Sequence, residues 1–195
     1  MRIVAITGSI GCGKTTLASL ARQLGYVVYD ADAWVRQLYK QKDFIKIITT
    51  HFPQSVQNGV FNKRALRTLV FDDNCQLKKL EALIHPFLTR TLRNLITKNR
   101  FSSDLAFLDV ALLFEMGWDK YAELIVVADV DDALQKQRVM KRDGISAEDF
   151  DKINKVQMDK KTKILLADVV VDTNKPLNIL KLELMSIIDG LENNG

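Results

Sequence analysis

Arg2-Ile3-Val4-Ala5-Ile6-Thr7 runs into Gly8-Ser9-Ile10-Gly11-Cys12-Gly13-Lys14-Thr15 and on through TTLASLARQLG, which ends at Gly25. The first six residues are a short run rich in β-branched apolar side chains and read as a strand. The last stretch carries apolar residues at helical spacing and finishes on a glycine suited to a helix C-terminus. Between them lies a match to G-x-x-x-x-G-K-[ST], in the strand-loop-helix setting that gives the pattern physical meaning. Its glycines let the backbone curl into a nest of N–H groups at a helix N-terminus, an arrangement that binds phosphate. Lys14 is placed to reach β and γ phosphates, and the Thr15 hydroxyl to ligate Mg²⁺. Gly8, Gly11, Cys12, Gly13, Lys14, Thr15 and Thr16 are therefore the candidate nucleotide-binding residues, with Cys12 a small loop residue rather than a nucleophile. The competing reading, an ordinary glycine turn before a helix, does not require a lysine and a hydroxyl at those two positions.

Residues 26–30 (YVVYD) read as a second strand, buried because near-continuous apolar character marks parallel strands covered on both faces, and expected beside the first. From residue 33 to 100 the pattern is helical with no convincing strand, interrupted by loop signals at Phe52-Pro53 and Asn58-Gly59. Asn62 is suited to capping the helix KRALRTLVF. Residues 105–108, 124–128 and 169–171 are three further apolar runs that read as parallel strands separated by helices. Gly144 closes one of those helices, and Ser146 with Asp149 opens the next. The alternation specifies an α/β three-layer fold with a parallel sheet and a helical insertion at about 33–100, in which ligands sit at the carboxyl ends of the strands.

The chain has 195 residues, enough for one domain spanning 1–195. Hydrophobic residues at 47% and charged residues at 27% exclude disordered and fibrous classes. A net charge of +4 and a pI near 9.0 come from basic residues spread along the chain, which suits phosphorylated metabolites and does not mark a nucleic-acid partner. Cys12 and Cys75 lack metal-ligand spacing and form no disulfide framework. No signal segment or membrane-length apolar run is present, so a cytoplasmic location without a membrane partner is expected.

Three sets of charged residues stand beyond the P-loop. Asp30-Ala31-Asp32 follows the second strand, and phosphoryl transfer to a hydroxyl needs a carboxylate near the metal to accept or orient its proton. Asp32 is the candidate base; standing alone it would read as a helix cap. Asp109 ends the 105–108 run in the manner of a Walker B carboxylate holding metal, although carboxylates follow strands for purely structural reasons about as often. Arg138 and Arg142 are four apart on a helix, so both guanidinium groups can project from one face towards phosphates, or, with Lys136 and Lys141, form a solvated basic face.

GSIGCGKTT, YDADAW, LEALIHP, DVALLFE, QKQRVMKRDG and ADVVVDTN occur in an order and spacing that resembles the dephospho-coenzyme A kinase family. The resemblance covers nearly the whole chain. It implies a kinase that moves the γ-phosphate of ATP, with Mg²⁺, onto the ribose 3′-hydroxyl of dephospho-coenzyme A, giving coenzyme A and ADP. Asp32 then falls on the base, the insertion holds the acceptor, and residues at about 138–153 form a helical lid carrying Arg138 as a catalytic arginine and Arg142 as a nucleotide contact. Asn174 falls where the nucleotide base is contacted. His85, which composition alone makes a hydrogen-bonded histidine beside a helix break at Pro86, falls on the acceptor side with Phe114 and Glu115; without the resemblance, residues 112–114 read as core.

Two features depart from the family pattern: Ala111 stands where proline usually precedes LLFE, and residues 38–44 lack a Pro/Gly-rich segment. Another small-molecule P-loop kinase, such as a nucleoside-monophosphate kinase, would share the phosphate machinery, so the acceptor motifs discriminate. A GTP-dependent switch would carry N-K-x-D, which is missing here, and a nucleic-acid-binding ATPase would show strongly salt-dependent binding.

Overall fold

The computed structural model describes residues 1–71, 73–102 and 104–193. The chain divides into two compact units, Met1–Asp30 with Phe101–Gly195, and Ala31–Arg100. In chain order the first unit begins with β1 (Arg2–Thr7), α1 (Lys14–Gln23) and β2 (Val27–Asp30). The second holds α2 (Ala31–Leu38), α3 (Lys42–His51), β3 (Val56–Gln57), β4 (Val60–Phe61), α4 (Lys63–Phe71) and α5 (Asn74–Lys98). The first unit resumes with β5 (Leu105–Asp109), β6 (Leu124–Asp129), α6 (Asp132–Asp143), α7 (Ala147–Val156), α8 (Lys160–Leu165), β7 (Val169–Asp172) and α9 (Leu177–Asn193).

The five strands of the first unit form one parallel sheet in the order β2-β5-β1-β6-β7. The expected position of β2 beside β1 is corrected: β5 lies between them, and Asp109 pairs in register with both Ile6 and Asp30. The crossover through α1 skips one strand position, which β5 fills. Burial explains the choice, since Phe107 of β5 is 0% exposed while Val27 of β2 is 56% exposed. β2 is thus a half-buried edge strand, not the fully covered strand its apolar run implied.

Leu17, Ala18 and Ala21 of α1, with Leu180, Leu184 and Ile188 of α9, form one core cluster with Val4, Ile6, Phe107 and Val126 of the sheet. The apolar positions of α9 recur every four residues, so one stripe faces the sheet. Truncating a side chain such as Leu17 to alanine would cost about 2–5 kcal/mol. The result is an α/β three-layer fold, a parallel sheet flanked by helices.

The Ala31–Arg100 unit has its own apolar cluster, with Leu38, Phe44, Ile48, Phe52, Leu66 and Leu80 among its members. Asn62 caps α4 as expected, its side chain accepting from the backbone N–H of Arg64 at 2.9 Å and of Ala65 at 3.1 Å. Two expectations for this stretch need correction. β3 and β4 form an antiparallel hairpin around Asn58 and Gly59, whose φ values of 51° and 76° suit a two-residue hairpin turn. Strands of two residues carry too little alternation to be visible in sequence. Nor does Pro86 break its helix: α5 runs through it, with Leu80, Leu88 and Leu92 buried on either side to offset the lost N–H bond.

In the first unit Gly144 ends α6 at a φ of 65°, and Ser146 with Asp149 forms a complete capping box on α7. Among the described residues no helix is long and apolar enough to cross a membrane.

Candidate active site

The P-loop leaves the carboxyl end of β1, at the middle of the sheet. Gly13 caps α1 with a φ of 92°, and a Cβ there would stand 2.7 Å from the Thr173 hydroxyl oxygen. A Cβ on Gly11 would stand 2.3 Å from a methyl of Val139. Both positions therefore need glycine for space as well as for conformation.

Polar side chains from other elements fix the loop. The Thr173 hydroxyl donates to the Cys12 carbonyl at 2.6 Å. Gln135 Nε2 donates to the Ile10 carbonyl at 2.8 Å, while the Ile10 N–H donates to Gln157 Oε1 at 3.0 Å. Gln135, 2% exposed, shares a face of α6 with Arg138, Val139 and Arg142, at spacings of three, four and seven residues. Cys12 is buried; desolvation pushes its thiol upwards, against the lowering pull of Lys14 and Lys163, so it stays a neutral packing group.

Lys14, Thr15 and Thr16 open α1 beside a cavity of about 560 Å³, which Arg138, Arg142 and Asn174 also line. That volume lies within the roughly 300–1,000 Å³ usual for small-ligand sites. Arg138 reaches the Thr173 hydroxyl and carbonyl oxygens at 3.4 Å each. Arg142 forks onto Asp143, Nε to Oδ1 at 2.8 Å and Nη2 to Oδ2 at 2.7 Å. Its side-chain bond to Asp143 raises its pKa further, so it remains a fixed cation. The structure thus gathers the P-loop, both arginines and Asn174 around one space.

The remaining sequence candidates are not among the residues that line this cavity. Asp109 is half-buried at the end of β5; laterally paired with Asp30, it shares a face of the pleated sheet with it. Asp32 is exposed in the first turn of α2, and His85 half-buried in α5, both within the Ala31–Arg100 unit. Phe114 and Glu115 lie on the turn segment that follows β5; Phe114 is half-buried, while Leu113 before it is fully buried core. Glu115 accepts from the Met158 N–H at 2.8 Å and pairs with the buried Lys163 at 3.1 Å.

Gln135, Gln157, Thr173 and Lys163 make these contacts although the sequence reading gave none of them a role. Two of them left a signal: Gln135 lies in QKQRVMKRDG on the helix face of Arg138 and Arg142, and Thr173 lies in ADVVVDTN beside Asn174. Gln157 and Lys163 depend on how separate elements pack.

A loop of N–H groups, one lysine and two arginines converging on a cavity of that size is suited to the triphosphate of a nucleotide, and the class of protein so defined is the P-loop kinases. Residues 2–178 match the family model described as "Dephospho-CoA kinase". Proteins of that name from Bartonella quintana and Bartonella henselae are each 35% identical over 195 residues, with 100% of both chains covered. The crystal structure of TT1252 from Thermus thermophilus superposes with a TM-score of 0.82 at 34% identity over 97% of each chain. A dephospho-CoA kinase from Campylobacter jejuni shares the fold, with a TM-score of 0.72 at 23% identity and 100% of both chains covered. The chain belongs to the dephospho-CoA kinase family.

Proposed function

We propose that this protein transfers the γ-phosphoryl group of ATP to the ribose 3′-hydroxyl of dephospho-coenzyme A, releasing coenzyme A and ADP. The observation that carries this acceptor is the extent of the family match, which spans residues 2–178 and so includes the whole helical insertion as well as the P-loop. The phosphate chemistry rests on the cavity bounded by Lys14, Thr15, Arg138 and Arg142.

In the reaction the 3′-oxygen bonds to the γ-phosphorus, the bond to the β–γ bridging oxygen breaks, and the hydroxyl proton passes to a carboxylate, assigned to Asp32. Gly8, Gly11, Cys12, Gly13 and Thr16 present the loop backbone and helix start to the phosphates. Lys14 and Arg138 balance charge on the group in flight, Arg142 holds the nucleotide phosphates, and Asn174 contacts the base. The 138–153 segment acts as the lid. His85, Phe114 and Glu115 hold the acceptor.

Thr15 and Asp109 are the proposed Mg²⁺ ligands. Thr15 lines the cavity and Asp109 ends β5, and both offer hard oxygen donors, which suits this ion. Among the described residues no group of three or more His, Cys, Asp or Glu could hold a metal ion. A nucleotide-borne Mg²⁺ needs none, because it takes one or two protein oxygens and otherwise phosphates and water. When bound, Mg²⁺ would supply charge neutralisation to the transferring phosphates.

The test is ADP release from ATP and Mg²⁺ with dephospho-coenzyme A, AMP, CMP or shikimate as acceptor. Turnover confined to dephospho-coenzyme A and reduced by orders of magnitude in Lys14→Ala supports the reading. Preference for AMP or CMP replaces the acceptor, and full activity in a folded Lys14→Ala protein removes the phosphate-site assignment.

A further inference from the structure

Lys163 is a lysine with 1% of its surface exposed, in a six-residue helix that no motif marks. Burying an ammonium is costly unless acceptors surround it. Here the amine donates to the Ala111 carbonyl at 2.9 Å and pairs with Glu115 at 3.1 Å. The Ala111 carbonyl also accepts from the hydroxyl of Thr7, the last residue before the P-loop, at 3.3 Å. Glu115 in turn accepts from the Met158 N–H, next to the Gln157 side chain that accepts from Ile10. One buried cation therefore joins the end of β1, the segment after Asp109 and the turn before α8.

We infer that Lys163 is a positioning residue for phosphoryl transfer: by holding the Ala111 carbonyl and the Glu115 carboxylate, it sets the segment that presents Phe114 and Glu115 to the acceptor. This rests on the dephospho-coenzyme A reading.

The test compares Lys163→Met, Lys163→Gln and Lys163→Arg with the parent, measuring ATP binding, steady-state transfer to dephospho-coenzyme A and thermal unfolding. Parent protein without transfer to this acceptor would remove the underlying reading, whatever the variants do. With an active parent, Lys163→Met should lower kcat/KM for the acceptor by about 100-fold, the scale of an ångström-level misplacement. The dissociation constant for ATP should stay within about twofold, because the P-loop keeps its own contacts. Lys163→Arg, which retains a charged donor, should recover most of the loss. Lys163→Gln buries no charge, and it serves if the Met variant does not fold; the same selective loss is expected. Variants that unfold at lower temperature yet keep kcat/KM within about threefold of the parent would make Lys163 a structural residue and overturn the inference. Equal losses in ATP binding and acceptor turnover would overturn it as well.

Discussion

The hydroxyl oxygen of Thr173 lies 2.6 Å from the carbonyl oxygen of Cys12, so a residue just past the last strand of the sheet holds the loop that follows the first. The same hydroxyl is 3.0 Å from the Asp129 carbonyl, and its methyl packs where a side chain on Gly13 would otherwise stand. The phosphate loop is therefore braced from β6 and β7 as well as shaped by its own glycines.

Thr173→Val keeps the shape of that brace and removes its hydroxyl. The Cys12 carbonyl would then be buried without this donor, at a cost of about 1–3 kcal/mol. Unfolding should shift down by roughly 2–10 °C for a chain of this size. ATP should bind about tenfold more weakly, since part of the cost falls on the loop geometry that ligand needs. Thr173→Ser should behave as the parent. Calorimetric unfolding and nucleotide titration decide the point, and parent-like ATP affinity in the valine variant would show that the brace does not shape the loop.

The two cysteines should react very differently. Burial pushes the Cys12 thiol above its ordinary range, outweighing Lys14, and its surface is 2% exposed; Cys75 is exposed near the start of α5. Because the thiolate is the nucleophile, iodoacetamide at neutral pH should label Cys75 quickly and spare Cys12 until the protein unfolds. Mass mapping of the labelled peptides reads the result. Rapid labelling of Cys12 in the folded protein would mean that the P-loop opens readily.

Arg138→Ala should lower turnover more than ATP affinity. Its guanidinium rests on Thr173 at 3.4 Å, long contacts that cost little to exchange for phosphate oxygens. An arginine that serves the transferring group contributes mainly in the transition state. A fall in kcat of about 10²-fold or more with a nearly unchanged nucleotide dissociation constant is expected. A change confined to ATP affinity would make Arg138 a ground-state contact.

Local chemistry made much of this molecule legible in advance. The P-loop, the cap at Asn62, the stop at Gly144 and the box of Ser146 and Asp149 act over a few residues, and each is present in the structure. Strand order was not legible, because an apolar run such as residues 26–30 does not say whether a neighbour covers it on one side or both. The hairpin at Asn58 and Gly59 announced its turn but not its two-residue strands. Lys163 carries no signal at all: its role depends on Ala111 and Glu115, about 50 residues away, and a lysine between Thr162 and Ile164 reads as surface.

Asp32 separates a kinase with an alcohol acceptor from a protein that merely binds ATP. It stands two residues beyond Asp30, the end of a strand that pairs in register with Asp109, and it is exposed in the first turn of α2. Exposed, and among the described residues without a hydrogen bond or ion pair to its carboxylate, it is available to take a proton from a hydroxyl, whereas a helix cap would be engaged with backbone N–H groups. Asp32→Asn keeps the size and removes the charge and most of the proton affinity. Transfer to dephospho-coenzyme A should fall by roughly 10²-fold or more, the usual scale for a lost general base. ATP binding without metal should hardly change, because Lys14 and the loop N–H groups carry it. A Mg²⁺ series separates two roles: if Asp32 mainly organises the metal, excess Mg²⁺ restores part of the rate, and if it is the base, the loss persists at every concentration. Near-parent turnover in Asp32→Asn would defeat the assignment and move the search for the base to Asp30 or Asp109.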